Sequence, residues 1–120
     1  MSDGETTVSE LKVIIKEFCD ERDWEQFHNS KDLAIGIVTE GSELLELFRF
    51  KDEAQVREMM SGDKRSEVED ELSDAFYFIL RFAQMNGIDL SSALERKIRK
   101  NSEKYPVEKA RGDNRKYDEY

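Results

Sequence analysis

Residues 69–85, EDELSDAFYFILRFAQM, pass from acidic to apolar character without a glycine or proline. Phe78, Phe82 and Met85 recur at helical spacing, so the segment reads as the apolar stripe of a long helix over 65–85. Asn86-Gly87 then supplies the left-handed cap that ends it. At 100° per residue Glu71 projects between Phe78 and Phe82, and Asp74 falls at the boundary beside Met85. Two acids, three residues apart, therefore lie on or beside the face that the helix should bury.

A second segment repeats the arrangement. In KDLAIGIVTEGSELLELF, residues 31–48, Leu33, Ile37, Leu44, Leu47 and Phe48 define an apolar arc. Glu40 projects into that arc between Leu47 and Leu33, and Glu43 lies one turn along toward its edge. Ser30 is placed to cap this helix. A first helix is expected over 7–20 from Val8, Leu11, Ile14, Ile15 and Phe18, and a short one over 53–60 before the break Ser61-Gly62-Asp63. A last helix should be capped by Ser91, run to 104 and stop at Pro106, leaving a polar tail over 106–120. No stretch alternates with period two, so the expected fold is all-α, a four- to five-helix bundle in a single domain, 1–120.

Composition narrows the function classes. The 120 residues carry 28 acids against 19 bases, a net charge of −9, which disfavours binding to a nucleic-acid polymer. A protein this acidic can handle phosphates only if a divalent cation or a few basic side chains stand between its charge and the ligand's. One cysteine, Cys19, excludes an internal disulfide framework and a multi-cysteine zinc site. No run approaches the roughly 20 apolar residues of a membrane span, and MSDGETTVSE does not read as a signal peptide. A cytoplasmic protein is expected.

Most acids in so charged a chain form a solvated face. That reading suits Glu46, Glu69 and Asp70, but not Glu40 and Glu71, because an inward carboxylate costs several kcal/mol unless something cationic accompanies it. Buried salt bridges are one solution, although Arg49 and Arg81 project away from the acid pairs. A bound cation is the other. Four carboxylates offer oxygen alone and suit Mg²⁺, with Mn²⁺ as a substitute. The only histidine, His28, lies outside both acid-bearing helices, which disfavours a di-iron or zinc centre.

These residues resemble the MazG-type all-α nucleoside triphosphate pyrophosphohydrolases, in particular their dCTP pyrophosphatase-like branch. The likeness rests on DERDWEQFH before the second helix, EGSELLELFRFK through it, EDELSDAFYFILR in the fourth, and NSEKYPVEKARGDNRKYDEY at the end, in family order. It implies that Glu40, Glu43, Glu71 and Asp74 hold the metal and carry catalysis. It further implies a homodimer or homotetramer whose sites form where protomer helices meet. Four positions depart from the pattern: Thr39 where many relatives have a further acid, Phe50 for tryptophan, Phe78 for tyrosine and Asp32 for asparagine.

By the same resemblance Trp24, Phe27, His28, Phe50 and Phe78 contribute to the nucleotide site. Aromatic faces stack on bases and a histidine can bond to an edge. Core packing is the competing role for Phe27 and Phe50. Lys31, Asn101 and Lys104 would meet phosphates, with the helix dipole a competing role for Lys104. Arg111, Arg115 and Lys116 either close over the ligand or form a disordered tail. The expected reaction converts a nucleoside triphosphate, dCTP or a modified dCTP among them, to monophosphate and pyrophosphate. A dUTP-directed or broadly selective hydrolase and a non-catalytic helical interaction module are the alternatives. Glu46 is a candidate general base, although its projection reads as surface.

Overall fold

Helix starts in this chain are set by side chains that satisfy orphan backbone N–H groups. In the computed structural model, which describes residues 1–120 throughout, Thr7, Asn29, Asp52 and Asp89 accept from the N–H groups of Glu10, Asp32, Gln55 and Ser92. Such caps contribute about 1 kcal/mol each. They begin α1 (Val8–Glu21), α2 (Ser30–Phe48), α3 (Glu53–Ser61) and α5 (Leu90–Lys104). The longest helix, α4 (Arg65–Met85), has no side-chain cap, and a one-turn α6 (Val107–Ala110) follows α5. There is no strand, as the periodicity predicts.

Two of the expected caps are corrected. Asn29, not Ser30, caps α2, and Asp89, not Ser91, caps α5; both have the extended backbone a cap requires, while the serines are already helical. Ser30 instead donates its hydroxyl to the Asn86 side chain at 3.0 Å. The polar tail is also more structured than expected. Pro106 ends α5 but stands as the residue before α6, and a short 3-10 turn follows at Tyr117–Glu119. The Tyr105 ring meets Tyr117 and Tyr120 edge-on at 5.9 and 6.1 Å, and Arg115 pairs with Asp113 at 2.6 Å.

The chain divides into two compact units, 1–87 and 88–120. The second holds α5, α6 and the tyrosine cluster. In the first, α2 and α4 form the principal helix pair, and α1 and α3 also pack on α4. Ser30 meets Asn86, Gly36 lies on Phe78, and Glu43 meets Glu71, so residue numbers rise on one helix as they fall on the other. The pair is antiparallel. The buried apolar side chains of this unit are Leu33 from α2, Val68, Leu80 and Ala83 from α4, and Ile15 and Cys19 from α1. Gly87, at φ +63°, adopts the left-handed conformation expected after Asn86.

Close approach of α2 to α4 depends on the missing side chain of Gly36, because a Cβ there would overlap the Phe78 ring. The Gly36→Ala variant should lose about 1–2 kcal/mol, since overpacking outweighs the gain in helix propensity. Gly41, on the same helix, has nothing within 4 Å of the corresponding position. Gly41→Ala should therefore gain about 0.5–1 kcal/mol. Denaturant melts of the two variants check the contrast, and equal effects would remove the close-packing argument.

Candidate active site

Antiparallel pairing brings the two acid pairs face to face. Glu40 and Glu43 from α2 and Glu71 and Asp74 from α4 each offer one carboxylate oxygen, all within 4.8 Å of one another. Glu40 and Glu71 are half-buried, whereas Glu43 and Asp74 are exposed. Burial, a hydrogen bond to Glu43 and the charges of Glu43, Asp74 and Glu71 push Glu40 up to about 6. Glu71 is raised as well, first by burial and then by its hydrogen bond to Glu43. Like charges held this close resist joint ionisation unless a cation or a shared proton intervenes.

No basic side chain plays that part. None of the ion pairs in the structure includes any of the four acids. Arg49 lies 3.6 Å from Glu46, which engages that acid at the surface. Glu71 Oε2 is shielded from solvent and lacks a hydrogen-bond partner. Buried acceptors are seldom left this way without an ion or water. The cluster is all-oxygen and unneutralised, and so has the composition of a hard-cation site.

The aromatic residues do not form one pocket in a single chain. Trp24 packs edge-on to Phe18 at 5.6 Å and to His28 at 6.3 Å, while Phe27 is exposed. Phe50 lies beyond the opposite end of α2, 88% exposed, with only the Arg49 guanidinium over its ring at 4.6 Å. The 19 residues of α2 span about 28 Å, so His28 and Phe50 cannot line the same base within one protomer. Phe78 lies against Gly36 and Tyr77.

Of the basic candidates, Lys31 is exposed in the first turn of α2, about 14 Å along the helix from Glu40. Asn101 and Lys104 belong to α5 in the second unit, where the Lys104 ammonium stands 4.9 Å above the Tyr117 ring. That contact is a structural role absent from the sequence reading. Arg81 has an enclosed position that its angle on the helix does not disclose. It does lie away from the acids, but it is 1% exposed and its Nε donates to His28 Nδ1 at 2.9 Å. The signal was available: Arg81 is the one charged side chain in AFYFILRFAQM.

Residues 35–120 match the MazG-like family. The chain belongs to that family. The dCTP pyrophosphatase 1 of Bos taurus is 36% identical over 115 residues, 95% of this chain and 68% of the relative. The Homo sapiens dCTP pyrophosphatase 1 is 35% identical over 116 residues, covering 96% and 68%. A solved pyrophosphatase from Archaeoglobus fulgidus superposes with a TM-score of 0.79 at 33% identity, over 88% of this chain and 98% of that one. The all-α fold expected from periodicity is thus the fold of a MazG-like pyrophosphatase.

A metal site and a buried salt bridge respond oppositely to loss of one carboxylate. Glu71→Gln relieves repulsion, so in EDTA its melting temperature should equal or exceed that of wild type. Added Mg²⁺ should raise the wild-type melting temperature by a few degrees and the variant's by less. A large loss in the variant, the same with and without metal, would eliminate the site.

Proposed function

We propose that the chain is a Mg²⁺-dependent nucleoside triphosphate pyrophosphohydrolase that converts a deoxynucleoside triphosphate, with dCTP or a modified dCTP among its substrates, to monophosphate and pyrophosphate. The observation that carries this is the unneutralised cluster of Glu40, Glu43, Glu71 and Asp74, in a chain that aligns along nearly its whole length with dCTP pyrophosphatases. The cluster's chemistry fits the cation: oxygen donors, converging from two rigid helices, with no protein cation in competition. Mn²⁺ satisfies the same donors. Bound there, the metal would supply Lewis-acid charge for the phosphates and lower the pKa of a coordinated water.

Glu40, Glu43, Glu71 and Asp74 hold this charge in place. Lys31, Asn101 and Lys104 neutralise or bond to phosphate oxygens, since a divalent ion leaves a triphosphate still anionic. Trp24 offers an aromatic face and His28 a hydrogen-bonding edge to the base, with Phe27, Phe50 and Phe78 as further apolar surface. Glu46, engaged with Arg49, is not the base we favour.

The site works in a homodimer or homotetramer. Two observations support this: the separation of His28 from Phe50 along α2, and the apolar side chains left exposed on α1, α2 and α4, including Phe18, Val38, Leu45 and Leu72. No helix is long and apolar enough to cross a membrane. We assign the protein to the cytoplasm, in keeping with its free cysteine.

Incubation of dCTP and the other deoxynucleoside triphosphates with protein and Mg²⁺ should release the monophosphate and pyrophosphate, and EDTA should abolish turnover. Orthophosphate and a diphosphate as products would refute the reading, which ³¹P NMR would show directly. Lys104→Ala should raise KM by about tenfold, the value of one charged hydrogen bond, with a smaller effect on melting temperature. A variant that loses stability and keeps its KM would leave Lys104 with only its Tyr117 contact.

A further inference from the structure

Arg81 is a buried guanidinium without a carboxylate. Its Nε–H donates to His28 Nδ1 and its Nη1 donates to Gln84 Oε1, while Nη2 is shielded from solvent and has no partner. Arginine stays protonated in proteins, so this is a full charge whose hydrogen-bond partners, His28 and Gln84, are neutral. Salt-bridge stabilisation does not account for it, since no acid pairs with it. What the arrangement does fix is the protonation of His28. A guanidinium N–H can only donate, so Nδ1 must offer a lone pair, and the imidazole proton is left on Nε2. Nε2 has no protein hydrogen-bond partner and is not fully shielded from solvent, so its proton is free for another acceptor.

We propose that Arg81 is a positioning residue that locks His28 as the neutral tautomer protonated at Nε2, so that His28 presents a donor to an acceptor atom on the nucleobase edge. The acceptor is a ring nitrogen or a carbonyl oxygen. This deepens the function proposed above and rests on His28 lying in the nucleotide site. Trp24, whose ring stands at 65° to the imidazole, flanks the same group, so stacking surface and donor are carried by one short connection. Burial and the Arg81 charge both lower the affinity of His28 for a second proton. Protonation at Nδ1 would also set one N–H against another. A site that donates one hydrogen bond rejects a base edge that offers only a donor in return.

The chain has one histidine, so the imidazole nitrogens of ¹⁵N-labelled protein give one readable pair of signals. Near neutral pH the wild type should show Nδ1 unprotonated and Nε2 protonated. Arg81→Met should give a mixture of tautomers and raise KM for dCTP severalfold with kcat little changed, while Arg81→Lys, which keeps a donor, should retain the wild-type pattern. A wild-type proton on Nδ1, or on both nitrogens, overturns the proposal and leaves the base-pocket reading standing. So does an Arg81→Met protein with a locked imidazole and normal KM. Should that variant not fold, the wild-type spectrum and Arg81→Lys decide. A normal KM for dCTP in His28→Gln removes His28 from the nucleotide site, and the proposal with it.

Discussion

The absence of a side chain at Gly36 lets α2 lie against the Phe78 ring of α4, and this approach sets how far the two helices slide along one another. At that register, one to two turns away, Glu40 and Glu43 are opposed to Glu71 and Asp74. The helix pair thus brings together four groups that electrostatics would keep apart, and the apolar contacts around Leu33 and Leu80 must hold against that repulsion. Stability and chemistry pull against each other at the same crossing. This is the usual condition of a site whose charge is completed by a ligand rather than by the protein.

A second constraint is length. The connection bearing Trp24 and His28 enters α2 at one end, and Phe50, in a left-handed backbone conformation at φ +65°, leaves it at the other. A non-glycine residue with positive φ is uncommon, and here the carrier is an exposed aromatic ring. Rings that should serve one base are separated by the whole helix. Large apolar side chains on α1, α2 and α4, among them Val38, Leu45 and Leu72, are likewise left exposed. The proposed association of copies would resolve both conditions together.

Much of this was legible in the sequence. The bounds of α4 and the end of α2 follow from apolar period and breaker residues, and the inward set of Glu40 and Glu71 follows from their angle on the helix. A projection yields angle but not depth or partner. It places Arg81 away from the acids without revealing that it is enclosed and bonded to His28, because that contact joins residues 53 positions apart. The caps at Asn29 and Asp89 were misplaced by one or two residues, since Asn, Asp and Ser are all good caps and backbone conformation decides among them. Charge alone gave no warning of the tyrosine cluster at the end of the chain, where Tyr105, Tyr117 and Tyr120 organise an otherwise polar segment.

Cys19 is the only thiol, is fully enclosed, and lies with its Sγ 3.1 Å from the Tyr77 hydroxyl, where α1 packs on α4. An alkylating reagent can reach it only when α1 swings clear of that contact. The rate of thiol capture under native conditions therefore counts openings of the first helix, separately from global unfolding wherever those openings are the cheaper event. Without any introduced probe, the chain carries a reporter of how often the element preceding Trp24 and His28 comes loose.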